Sequence, residues 1–222
     1  MAEQAGRAAA GGELALILAA ERLFASQGIE AVALRQINQA ANQRNMSAAH
    51  YHFGSREGLV QAVLLHRLPG LDQRRAALLQ AAAGAQDIRI YLAAFIQPLV
   101  QELGPRAEGN HFIRFMQQYE RYRGDYEDVR RITPASVRIY DELERLIAYL
   151  PTEVRRLRIG YLINMIHAVL ATAEERLGTG EVRHDEIALI AANLIDMAGA
   201  ALSAPISAAT MAILAAGSGE RT

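Results

Sequence analysis

The sequence predicts an all-α protein, a small head of three helices on a larger helical body. Three observations predict it. Apolar residues recur at helical spacing through most of the 222 residues. Glycine and proline punctuate that pattern at Gly28, Gly54, Pro69-Gly70, Gly104-Pro105, Gly124 and Pro151. Two short apolar segments lie close together near residue 40, separated only by the polar run Asn42-Gln43-Arg44-Asn45.

In chain order, MAEQAGRAAAGGE has no apolar signal core and reads as a flexible leader rich in Ala and Gly. The first helix is expected from about Gly12 to Gln27, with Leu16, Ile17, Ala20, Leu23 and Phe24 on one face and Gly28 as its stop. Its task is to supply an apolar wall, and burial of Phe24 there is worth about 1.5–3 kcal/mol. A short helix over about Ala33–Ala41 carries Leu34, Ile37, Ala40 and Ala41 inward. A second opens near Met46-Ser47 and closes at Tyr51-His52-Phe53, where Gly54 tolerates the left-handed φ of a helix end. Ser55 caps the next helix, with Glu57 in its first turn. That helix is expected to run from Arg56 to Leu68 and to be interrupted by Pro69-Gly70.

Two short helices joined by a tight polar turn form the helix-turn-helix outline. The second presents Asn45, Ser47, Ala48, His50, Tyr51 and His52. Short side chains let a backbone approach a DNA groove, and the polar groups offer donors and acceptors to bases and phosphates. The stretch LILAAERLFASQGIEA, then I-x-x-A-A, then YHFGSREGLVQAV resembles the DNA-binding head of TetR-family transcriptional regulators over roughly residues 14–65. The chain departs from that family at three places. It has Ala41-Asn42 where the family carries Ala-Gly, Val32-Ala33 where the first short helix has a Thr cap, and His50 where the recognition helix has Tyr. The resemblance implies a helix-turn-helix DNA-binding domain at residues 13–68 and an effector-binding and dimerisation domain at residues 69–203. A leader (residues 1–12) and a flexible tail (residues 204–222) flank them. The implied DNA contacts are Arg35, Arg44, Asn45, Ser47, Ala48, His50, Tyr51, His52 and Arg56, with Arg44 the foremost.

The body is expected to begin between Pro69 and Asp87. Asp87 caps a helix striped with Ile88, Tyr91, Leu92, Phe95 and Leu99, bent near Pro98. Next come helices over about Glu108–Arg123, with Phe112, Phe115, Met116 and Tyr119 inward, and about Pro134–Leu150, opened by a first-turn proline. The last two, about Glu153–Leu177 and His184–Ser203, are so apolar that one subunit cannot cover them. A four-helix interface with a second copy is expected, with Ala192 and Gly199 permitting close approach.

The aromatic residues suggest an apolar effector cavity in the body, lined by Tyr91, Phe95, His111, Phe112, Phe115, Met116, Tyr119, Asn164, Met165 and His167. Gln117 is a further polar handle.

Composition narrows the classes. There is no cysteine, so disulfides and thiolate metal sites are excluded. No run approaches the ~18–20 uninterrupted apolar residues of a membrane span, and a cytoplasmic setting is expected. Net charge is −1, and residues 1–60 carry five Arg and five acids, so the head is not a strongly basic module. Affinity for DNA must then come from a few placed contacts and two copies. No HExxH, phosphate loop or nucleophile elbow occurs. Neither enzymatic activity, metal nor cofactor is called for. The expected function is a homodimeric, sequence-specific transcriptional regulator. It would repress from a palindromic double-stranded operator and be released by a small hydrophobic effector. The alternative is a helical sensor or adaptor whose head binds protein.

Overall fold

The computed structural model describes residues 2–103, 110–123 and 127–219, and among them there is no β-strand. Helix α1 (Ala2–Gln27) starts well before the expected Gly12. The five alanines among its first residues are strong helix formers and carry the helix into the supposed leader. Gly28 ends it at φ +85°, donating its N–H to the Phe24 carbonyl at 3.0 Å. Leu16, Ala20 and Phe24 are buried, as expected, together with Ile29 and Val32 of the following loop.

Two short helices pack on α1: α2 (Leu34–Ala40) and α3 (Ala48–Phe53). Helix α4 (Arg56–Ala81) follows, its N-cap Ser55 Oγ accepting from the Gly58 N–H at 3.2 Å. Pro69-Gly70 does not interrupt α4. Both residues lie on its exposed side, so the carbonyl that Pro69 leaves unpaired faces water. The buried neighbours Leu64, Leu68, Leu71, Asp72 and Arg75 meanwhile hold the helix on the core to either side. A single rod therefore leads from the end of the helix-turn-helix deep into the body.

The body comprises α5 (Ile88–Glu102), α6 (Phe112–Arg123), α7 (Glu127–Ile132), α8 (Pro134–Leu146), α9 (Thr152–Gly178), α10 (Ile187–Ser203) and α11 (Ala208–Gly219). The expected helix start at Glu108 and the breaks at Gly104-Pro105 and Gly124-Asp125 lie outside the described residues. The sequence pattern did not separate α7 at all. Asp87 caps α5 as expected, its Oδ1 accepting from the Arg89 N–H at 2.9 Å. Pro134 opens α8, whose next two N–H groups, on Ala135 and Ser136, are taken by the Asp72 carboxylate of α4 at 2.9 Å each. Helix α6 lies between α1 and α9, α8 packs on α4 and α5, and α10 packs on α5 and α9. One continuous hydrophobic core runs from Leu16 in α1 to Leu202 in α10.

Each of the last two long helices buries one face within the subunit and leaves further apolar residues open on the other. Leu162, Ile166, Leu170 and Ala173 of α9 and Ile187, Ala191, Leu194, Ala198 and Leu202 of α10 are buried. Leu157, Tyr161, Leu189 and Met197 remain exposed on the same two helices. Gly199 is not on the open face, contrary to expectation. A Cβ there would lie 3.3 Å from Arg89 Cγ, so this glycine serves the close packing of α10 on α5. Ala192 is exposed. Residues His184–Ser203 are long and apolar enough, by length and composition, to cross a membrane, which the count of uninterrupted apolar residues had not suggested. One face of that segment is nevertheless buried against α5 and α9.

Candidate functional site

The helix-turn-helix is held by polar groups that its apolar pattern does not reveal. Asn38, on the inner face of α2, is buried. Its Nδ2 donates to the Met46 carbonyl at 2.6 Å and its Oδ1 accepts from the Ala49 N–H at 2.8 Å. One amide side chain thus bridges both sides of the turn and fixes where α3 begins. Gln43 Nε2 donates to the Gly12 carbonyl at 3.3 Å, tying the turn back to α1. Asn42 stands where the family carries Gly and takes the left-handed conformation itself, at φ +52°. Asn is among the few side-chain-bearing residues that tolerate it. Ala33 has no side chain to cap α2, but Gln36 Oε1 accepts from the Ala33 N–H at 2.8 Å, which is the returning half of a capping box. Gly58 lets α3 meet α4: a Cβ there would lie 2.0 Å from the Phe53 carbonyl oxygen.

This scaffold presents Arg35, Arg44, Asn45, Ser47, His50, Tyr51 and His52 to solvent, and Tyr51 is 82% exposed. Tyr51 and His52 meet edge to face with ring centroids 5.3 Å apart. Asn45 also has a local task, since its Oδ1 accepts from the Ser47 N–H at 2.9 Å and shapes the approach to α3. Ala48 is not on the outward face. It is buried, because α3 turns its Ala48-Ala49 side onto the core. Arg56 is half-buried and donates from Nε to the Val32 carbonyl at 3.2 Å, bracing α4 against the loop before α2.

Behind this surface, a cavity of about 210 Å³ opens among α4–α9. Of the ten expected pocket residues, Phe95, Phe112, Met116 and His167 line it. The others do not. Phe115 and Tyr119 belong to an aromatic ladder in the core, with Phe115 6.2 Å from Phe24 and 6.4 Å from Tyr119 between ring centroids. Tyr91 is buried in the core, Met165 packs partly buried against it, and Asn164 is exposed beside a separate groove with Gln117. His111 sits at the start of α6, its Nδ1 2.9 Å from Arg114 Nη2, and burial lowers its pKa. The cavity walls missed from sequence include Arg75, Thr133, Ser136 and Tyr140. They come from α4 and the α7–α8 region, where no aromatic stripe marks them. His167 is buried, and its Nδ1 bonds the Glu120 carboxylate. Burial raises the pKa of Tyr140.

Helix α6 touches both regions. Phe112 and Met116 face the cavity, while Phe115 meets Phe24 of α1. Its leading end is held from two sides. The Glu21 carboxylate of α1 accepts from the His111 N–H at 3.1 Å and from Arg67 at 2.7 and 3.0 Å. Glu174 of α9 accepts from the Ile113 N–H at 3.3 Å, the Arg114 N–H at 3.2 Å and Arg114 Nε at 3.0 Å. Further along, the Tyr122 hydroxyl donates to Glu57, just behind α3, at 2.9 Å.

Residues 16–63 match the family model described as bacterial regulatory proteins, tetR family. The chain carries a TetR-family regulator head. That match covers the second half of α1 from residue 16, all of α2 and α3, and the first third of α4, the segment whose geometry is set out above. No match among curated proteins was found. Among solved structures, the chain is similar to RolR in complex with the ligand resorcinol, at 19% identity over 91% of this chain and 98% of that one, TM-score 0.47. A Rhodococcus sp. protein assigned to the TetR-family transcriptional regulators is 15% identical over 87% of this chain and 100% of that one, TM-score 0.43. The multidrug binding protein EbrR complexed with imidazole is 19% identical over 88% and 90%, TM-score 0.34.

Proposed function

We propose that this TetR-type chain is a homodimeric repressor whose two α3 helices read successive major-groove faces of a palindromic operator, and that a small, largely apolar effector in the cavity releases it. The observation that carries the reading is the position of α6, one helix in contact with the cavity walls and with α1 of the DNA-binding head. An occupant pressing on Phe112 and Met116 works directly on a helix anchored through Glu21 and Phe24. A few kcal/mol of differential affinity between two arrangements suffices to change the separation of paired heads. The open apolar face of Leu157, Tyr161, Leu189 and Met197 supports pairing through α9 and α10. A cytoplasmic setting follows from that role.

In this reading Arg44 leads the base or phosphate contacts, Ser47, His50 and Tyr51 add others along α3, and Arg35 and His52 hold the flanking backbone. Arg56 and Asn45 act chiefly through the bonds that place α4 and α3. Arg44→Ala is expected to weaken operator binding by about tenfold or more, the worth of one good bidentate contact. Melting temperature and dimer mass should stay unchanged. Gel shift with a selected operator, beside sedimentation, measures both. Unchanged operator affinity would mean that another surface reads the DNA.

A further inference from the structure

The cavity holds a guanidinium that the protein does not fully satisfy. Arg75, on α4, is only 4% exposed and forms part of the cavity wall. Its Nε donates to the Phe95 carbonyl at 3.2 Å and its Nη1 to Ser136 Oγ at 2.9 Å. Nη2 is buried and has no hydrogen-bond partner among the described residues. A guanidinium offers five N–H donors in a planar fork, so the Nη2 end still lacks its acceptors.

Nor does a carboxylate neutralise it by contact. The nearest acidic residue in sequence, Asp72, is committed to the first turn of α8. It accepts there from Ala135 N–H, Ser136 N–H and, at 2.6 Å, Ser136 Oγ. What covers Arg75 instead is a ring: its guanidinium carbon lies 3.8 Å from the centroid of Phe95. The acidic wall residues Asp141 and Glu144, and the basic Arg130, are exposed to solvent. Burial lowers the Arg75 pKa to about 10, which leaves the group charged at neutral pH. Its counter-charge, Asp72, stands one hydroxyl away, joined to Nη1 through Ser136 Oγ, and leaves the Nη2 end to an anion that reaches it.

The remaining walls set the rest of the ligand. Phe95, Phe112, Met116 and Tyr140 offer flat apolar and aromatic surface. A cavity of about 210 Å³ exceeds the ~150 Å³ that holds a benzene ring in an engineered apolar site. One ring with a substituent fits that space.

We infer that the effector is an aromatic carboxylate, its ring among Phe95, Phe112 and Met116 and its carboxylate completing the guanidinium of Arg75. This rests on the cavity being the effector site and names the chemistry it selects.

The test compares benzoate and salicylate with their uncharged primary carboxamides, by calorimetry on the purified full-length protein at neutral pH. At least one acid should bind ten times or more tighter than its own amide. Arg75→Met should abolish that preference and leave amide affinity within about threefold of wild type, with Arg75→Lys retaining part of it. The acid–amide comparison on unaltered protein stands even if Arg75→Met does not fold. Amides that bind as well as their acids, or a preference that survives Arg75→Met, would overturn the inference and leave the cavity reading intact. Failure of every acid and every amide to bind would remove both.

Discussion

The head and the body are built on different terms. In the head, most of the bonds that shape the turn and the helix starts join residues close together in sequence. Asn38 reaches Met46 and Ala49, Gln36 reaches Ala33, and Ser55 reaches Gly58. In the body, the decisive bonds join distant segments, as when Glu21 holds His111, Asp72 caps α8, and Glu174 holds the start of α6. The head is therefore a local device, solid in its core and polar on its outer face. The body is a long-range assembly with an unfilled centre and an open apolar flank. A local device fixes the shape of a probe, and a long-range one permits that probe to be moved.

The sharpest way to break this contrast is to cut a bond between the two regions. Glu21→Ala should cost about 3–5 kcal/mol, because it leaves the guanidinium of Arg67, 8% exposed, buried without its partner. Thermal or urea unfolding measures it, and both regions should lose stability together. A loss confined to one region would show that they are not joined through α1 and α6.

Helix α6 also carries a pH signature. Burial pushes the Glu174 carboxyl up to about 7, against the hydrogen bonds from Arg114 and Ile113 that pull it down. A folded-state pKa above the unfolded value means stability that is complete below about pH 4.5 and lost as pH rises through about 7. Wild type should therefore lose roughly 3 kcal/mol relative to Glu174→Gln between those limits. Urea titrations of both proteins at several pH values give the difference, and a flat one would place the ionised form as the favoured state.

Within the head, Asn38→Ala strands the buried Ala49 N–H and the Met46 carbonyl. A loss of about 2 kcal/mol is expected, with operator binding falling further than stability alone explains, because α3 loses its fixed starting point. Retained affinity at a temperature where the variant is fully folded would show that the turn does not depend on this amide.

The same contrast explains what could be read from sequence. The head was legible because its signals are short-range: Phe24 four residues before Gly28, Gly54 after the aromatic end of α3, Ser55 at a helix cap. Even one of its departures from the family found a local replacement, Asn42 for a glycine. Ala48 was misplaced because a six-residue helix has too few residues for periodicity to fix which side faces inward. The body yielded its helix pattern but not its cavity. Aromatic spacing on α5 and α6 identified Phe95, Phe112 and Met116, yet the same spacing marked Phe115 and Tyr119, which face the core. Arg75 and Ser136 stand 61 residues apart, and no periodicity predicts that they meet. Pro69 misled for a related reason: tertiary packing on both sides of it carries the helix through, as it also does past the buried Pro98 of α5.

The most direct measurement is selection of bound duplexes from a random library by the purified full-length chain, with the mass of the complex determined by sedimentation. A two-fold symmetric sequence bound by paired chains is the expected result. A chain that enriches no sequence, or binds DNA only as a single copy to an asymmetric site, would contradict the dimeric reader proposed for α3.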